Sequence, residues 1–120
     1  MTTSESPAVR RRDGVAVIDL TGDVNRAAEE SLEAAWVRAT SERPAAVVLN
    51  FEDAGYINST GIALIVGLLA RARATGLEVR AYGLSPHYRE IFEITRLADF
   101  LAINPDEDSA VRGAEGSTDA

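Results

Sequence analysis

Apolar positions along this chain switch repeatedly between a period of two and a period near 3.6, and the switches mark alternating strands and helices. Ala8–Arg12 and Val15–Leu20 flank Asp13-Gly14, a two-residue hairpin signal. Thr21-Gly22-Asp23 breaks the chain, and Asn25 stands ready to cap a helix from Arg26 to about Ser41. Its Ala28, Leu32, Ala35, Trp36 and Ala39 recur at helical spacing, so Trp36 reads as a packing residue. Pro44 closes that connection, and Ala45–Leu49 forms an unbroken apolar run, as in a strand buried on both faces. A loop containing Asp53-Ala54-Gly55 leads into a helix from Ser59 to about Thr75, stopped by Gly76. Leu77–Tyr82 alternates like a half-buried strand. Ser85-Pro86 then opens a helix to about Glu93, with Ile91 and Phe92 facing inward.

Leu97, Phe100, Leu101 and Ile103 form the last apolar segment, read as a short strand. The run Asn104-Pro105-Asp106-Glu107-Asp108 opens a final helix, with acids in its first turn complementing the helix dipole. Residues 1–7 and 113–120 read as flexible ends around one domain at 8–112. The predicted class is α/β, in the order β-β-α-β-α-β-α-β-α, with a mixed β-sheet and helices packed on it.

Composition narrows the chemistry. At 120 residues, 46% hydrophobic and 26% charged, the chain supports a single packed core. It contains no cysteine and no lysine, all twelve basic residues being arginine. Disulfides, thiol catalysis, a P-loop lysine and a Schiff-base lysine are therefore excluded. A net charge of −7 argues against nucleic acid, whose binding rests on cationic contacts to phosphates. The longest apolar run, Gly61–Ala70, falls short of the roughly 20 residues needed to cross a bilayer. Residues 1–14 lack the apolar core of a secretory signal, so a cytoplasmic protein without a membrane partner is expected. Arg10-Arg11-Arg12 on the first strand reads either as charge guarding an exposed edge or as a partner patch.

Candidate chemistry converges on Tyr56-Ile57-Asn58-Ser59-Thr60-Gly61, where a loop turns into a helix. Asn58 or Ser59 should cap the first turn, leaving a hydroxyl where free amides and the dipole favour an anion. Ser59 is thus a cap, a nucleophile or a phosphorylation site. The nucleophile lacks support, because Ser59 is not in Gly-x-Ser-x-Gly and His87 is the only histidine. No enzyme activity, cofactor or metal is expected; Asp106, Glu107 and Asp108 suit a helix start better than a ligand set. On a helical wheel Ile62, Ile65, Val66 and Leu69 form the expected core stripe, while Ala63, Gly67, Ala70 and Ala74 lie opposite. That flat, uncharged side reads as good helix formers or as a docking surface, and a mid-helix Gly67 points to close approach.

In this order, three segments resemble the STAS domain of bacterial anti-sigma factor antagonists: Leu20–Asp23, Val47–Leu64, and Gly83–Pro86 with Ile91–Leu97. The resemblance covers about residues 8–112. It implies that Ser59 is phosphorylated by a cognate serine kinase that is also the anti-sigma factor, and that phosphorylation ends binding. A PP2C-type phosphatase then resets the cycle. Taken with the helical-wheel reading, the expected partner surface is Asn58, Thr60, Gly61, Ala63 and Gly67, with Asp23 and Tyr56 on neighbouring loops. Two residues depart from the family pattern: Asn58 and Asn50 stand where aspartate is common. Thr60 offers a second hydroxyl. The alternative implied by the resemblance is a STAS scaffold or regulatory subunit that is never phosphorylated.

Overall fold

Asp13 and Gly14 take φ values of 51° and 79°, so the first two strands close as the two-residue hairpin the sequence predicts. The computed structural model describes residues 7–113. The two expected flexible ends otherwise lie outside the described residues. The strands are β1 (Ala8–Arg12), β2 (Val15–Val24), β3 (Ala46–Ile57), β4 (Glu78–Tyr82) and β5 (Ala102–Asn104). The helices are α1 (Glu29–Thr40), α2 (Ser59–Thr75), α3 (Pro86–Ile94) and α4 (Glu107–Arg112), with 3-10 turns at Arg26–Ala28 and Leu97–Asp99.

The sheet runs β1-β2-β3-β4-β5, antiparallel between β1 and β2 and parallel thereafter. Each parallel connection is a helical crossover, and crossovers of one hand along a sequential sheet place their helices on the same face. The two-residue side-chain period sorts the core accordingly. Ala16, Ile18, Leu20, Val47, Leu49 and Phe51 pack towards α1, α2 and α3, where Phe51 meets Phe92 edge to face with ring centroids 5.9 Å apart. Val15, Val17, Ala46, Val48 and Tyr82 point the other way, onto Ala110 and Val111 of α4.

Four expectations change. Ala45 lies outside β3, and the strand continues through Asp53-Ala54-Gly55 to Ile57 rather than ending at Leu49. Thr21-Gly22-Asp23 is no break either: β2 carries on to Val24, pairing Thr21 with Asp53, Gly22 with Ala54 and Val24 with Ile57. Register shifts on both sides of Gly22, with Gly22 at φ 75°, mark an irregular, bulged extension. The segment read as one strand from Leu97 divides into a 3-10 turn and the short β5. On α2, Val66 faces solvent while Leu68 and Ala72 join Ile65 and Leu69 in the core. A helix uncharged from Ser59 to Ala70 gives a wheel little polar contrast to orient it.

The arginine triplet is committed within the chain. Arg11 donates to the carbonyls of Arg38 and Ala39, satisfying the C-terminal end of α1. Arg10 bridges Asp19 (2.6 and 2.8 Å) and Glu107 (2.9 and 3.0 Å), and Arg12 reaches Glu107 at 2.7 Å and Asp108 at 3.2 Å. The Tyr82 hydroxyl donates to Glu107 at 2.5 Å. Arg10, with help from Tyr82, holds the Glu107 carboxyl far below the usual range, and Arg10 likewise lowers Asp19. Burial, reinforced by the Glu107 carboxylate, pushes the Tyr82 phenol up. Buried Asn50 donates to Asp19 at 2.8 Å. Aspartate there would set one carboxylate against another.

Candidate functional site

The Ser59 end of α2 is built from the last residues of two parallel strands. Val24 of β2 pairs with Ile57 of β3, and the Asn58 amide donates back to the Val24 carbonyl at 3.3 Å. Asn58 adopts extended backbone and its side chain accepts from the Gly61 amide at 2.8 Å, so it is the N-cap. Ser59 and Thr60 therefore occupy the first helical positions, where their amides have no intrahelical partner. Both residues are exposed. An anion at the Ser59 hydroxyl would meet these amides and the positive end of the dipole.

Gly61 sits differently from the surface role expected of it. It is buried, and a Cβ there would overlap the carbonyl of Val24. Gly61 thus allows α2 to rest directly on the end of β2, and it sets the height at which Ser59 is presented. Ala63 and Gly67 do face outward, and a Cβ at Gly67 would meet no atom within 4 Å. No described part of this chain requires a glycine at that position.

Asp23 and Tyr56 come together as neighbours, although on the irregular strand extension rather than on loops. The Tyr56 amide donates to Asp23 Oδ1 at 2.8 Å, and a Cβ on Gly55 would strike the same carboxylate. The Tyr56 side chain is exposed. Sequence reading missed Tyr88, whose hydroxyl accepts from the Ile57 amide at 2.9 Å and so ties α3 to the residue before the cap. Its partner is a backbone amide, which leaves no signal in residue spacing. His87 is exposed in the first turn of α3, stacked edge-on against Tyr88 with ring centroids 4.9 Å apart.

From Ser59 to Ala70 α2 carries no charged residue. On its outer side Ala63, Gly67, Ala70 and Ala74 form a shallow exposed strip running away from the two hydroxyls. Such a strip offers backbone and methyl groups for close packing, with a single modifiable oxygen pair at one end. Among the described residues, no group of three or more His, Cys, Asp and Glu is placed to hold a metal. No helix among the described residues is long and apolar enough to cross a membrane.

Comparison with known proteins gives the same fold. The STAS domain model matches residues 6–110. BtrV of Bordetella bronchiseptica, a candidate anti-sigma factor antagonist, is 34% identical over 93 residues, 78% of each chain. Among solved structures, an anti-sigma factor antagonist from Mycobacterium paratuberculosis superposes with a TM-score of 0.75 at 23% identity, covering 94% of this chain and 96% of that one. The antagonist SpoIIAA in its unphosphorylated form gives 0.68 at 20% identity, covering 93% and 100%. The Bacillus SpoIIAA in its phosphorylated form also gives 0.68, at 21% identity, covering 90% and 99%. With the family model spanning nearly all of the described residues and the same five-stranded sheet beneath it, this chain belongs to the STAS domain family.

Proposed function

We propose that this chain is an anti-sigma factor antagonist whose Ser59 end of α2 binds a cognate anti-sigma factor that is also a serine kinase. Phosphorylation of Ser59 releases that partner, and a PP2C-type phosphatase restores the binding form. The observation that carries the reading is the pairing of an exposed hydroxyl at a capped helix N-terminus with an uncharged, small-residue strip along the same helix. A phosphoserine brings about −1.5 to −2 charge and three acceptor oxygens. Free amides and the dipole tolerate that charge within this chain, whereas a partner packed against Ala63 and Gly67 would have to desolvate it. The switch therefore acts at the interface and leaves the fold intact. SpoIIAA, which shares this fold, is described in both phosphorylated and unphosphorylated forms, which supports the reading.

Asp23, Tyr56, Asn58 and Thr60 rim the proposed contact. Gly61 acts beneath it, by seating α2 on Val24. The protein works in the cytoplasm, on protein partners alone, and performs no chemistry of its own.

One observation favours a second reading, a STAS subunit that is never phosphorylated: Asn58 removes a negative charge beside the acceptor. Intact-mass analysis of the protein from its native host, with phosphosite mapping and a Ser59→Ala control, separates the two. A single added phosphate that disappears in the control supports the switch. An unmodified mass in every growth state, with partners still co-purifying, overturns it in favour of the constitutive subunit.

A further inference from the structure

The large apolar side chains left exposed in the described chain are unevenly placed. They are Val37, Tyr56, Val66, Ile94 and Phe100. Val66, 44% exposed, and Phe100, 49% exposed, line one groove where the second half of α2 meets the turn after α3. Ile94, 71% exposed, stands immediately before the groove wall at Thr95. The groove holds about 480 Å³, and Leu69, Ala70 and Leu97 complete its apolar lining.

Its rim is cationic. The Arg73 guanidinium lies 5.1 Å from the centroid of the Phe100 ring, and among the described residues it has no carboxylate in ion-pair range. Arg96 holds a left-handed backbone, φ 69°, and reaches Asp99 at 2.8 Å while its side chain stays 78% exposed. Two arginines beside an apolar trough stand out on a chain of net charge −7. The trough is also continuous with the outward strip of α2, because Val66 and Ala70 border both. At 1.5 Å per residue, Val66 lies about 10 Å and Arg73 about 21 Å along the helix from Ser59.

We infer that this groove is a second docking surface, taking an acidic amphipathic segment of the protein partner that covers Ser59. The inference rests on the proposed partner-facing role of α2. Apolar side chains of that segment fill the trough between Val66 and Phe100, and its carboxylates meet Arg73 and Arg96. A second copy of this chain fits less well. An isologous contact would turn the same two arginines towards one another and bring two chains of charge −7 together.

The test is photo-cross-linking in the native host, with p-benzoylphenylalanine at Phe100 in the groove, at Ala63 beside Ser59, and at Val37 on α1 as the exposed control. Circular dichroism melts confirm that each variant folds. The expected result is one partner captured from both Phe100 and Ala63 but not from Val37. Mass spectrometry should place the Phe100 cross-link in an apolar segment with Asp or Glu nearby. Arg73→Glu with Arg96→Glu should cut the Phe100 yield about tenfold or more, through lost charge complementarity. Capture at Ala63 without capture at Phe100 overturns the groove and leaves the Ser59 surface standing. Cross-links only between copies, to a segment without acids, or indifferent to the double charge reversal also overturn it. Failure at both Phe100 and Ala63 overturns the groove and the proposed function together.

Discussion

Two polar clusters in this protein are organised in opposite ways. Under α4, Glu107 takes up Arg10, Arg12 and Tyr82, and Arg10 and Asn50 together satisfy Asp19. Those groups are turned inward, on one another. At the Ser59 end of α2, one side chain, Asn58, closes the helix, and the two hydroxyls beyond it face solvent next to an uncharged strip. Charge alone would have pointed to the arginine triplet as the interaction surface. Pairing shows otherwise for the triplet: the most charged strand is occupied by its own fold, while the outer side of the least charged helix is left uncovered by the described residues.

If that contrast is right, the largest effect should come from the residue that seats the free helix. Gly61→Ala drives a methyl into the backbone carbonyl of Val24, which cannot rotate away as a side chain could. Stability should fall by about 3 kcal/mol or more in urea denaturation, in line with overpacking against rigid backbone. A loss below about 1 kcal/mol would mean that α2 slides off β2 easily, and the presentation of Ser59 would then not be fixed by this contact.

Next in size is the closed cluster. Glu107→Gln removes the charge that two guanidiniums and a phenol surround, and should cost about 2 kcal/mol, less than a fully buried pair because both arginines are partly exposed. It should also flatten the acid limb of the stability curve. The folded state depresses Glu107 and Asp19, so their contribution is complete above the unfolded carboxylate range near pH 4 and is lost as pH falls further. Equilibrium unfolding between pH 3 and 7 reads this directly. An unchanged acid slope in the variant would place the acid sensitivity elsewhere.

The parts of this fold that were legible in the sequence are those encoded by neighbours. Asp13-Gly14 specifies a turn with two positive φ values, and Asn25 and Ser85 cap as expected through an amide two or three residues on. The structure settles Asn58 over Ser59 for α2 and makes Asp106, expected only as a first-turn acid, the cap of α4. What stayed hidden depends on distant partners. Thr21–Val24 and Asp53–Ile57 have loop-like composition and become strand only by pairing with each other. Glu107 meets Arg10 across 97 positions, so its acid-rich surroundings read as a helix start and nothing more. A helical wheel puts Gly61 in line with Ile65, Leu68 and Ala72, but with so little charge on α2 nothing marks that line as the core, and the Val24 carbonyl that demands a glycine there lies on a distant strand.

Smaller effects probe the open cluster. Asn58→Ala removes the cap and leaves the Gly61 amide unsatisfied, which should cost about 1 kcal/mol by thermal or chemical unfolding. Asn58→Asp should keep the cap and restore the charge common in the family, so stability should hold while any Ser59 phosphorylation rate changes. A cap variant as stable as the parent would show that the first turn is held by Val24 alone.

Gly67→Ala makes the finest distinction, because stability and binding should move in opposite directions. Among the described residues its added methyl meets no atom within 4 Å outside its own stretch of helix, and alanine is the better helix former, so the variant should gain about 0.5–1 kcal/mol. A partner packed closely on the Ala63–Ala74 strip would meet that same methyl, and affinity measured by calorimetry should weaken even as the melting temperature rises. If affinity held while stability rose, the partner would not approach the α2 backbone at Gly67. If both fell, the helix would be strained at Gly67 in a way that its open surroundings do not account for, and the division between an occupied and a free polar cluster would need to be redrawn around α2 itself.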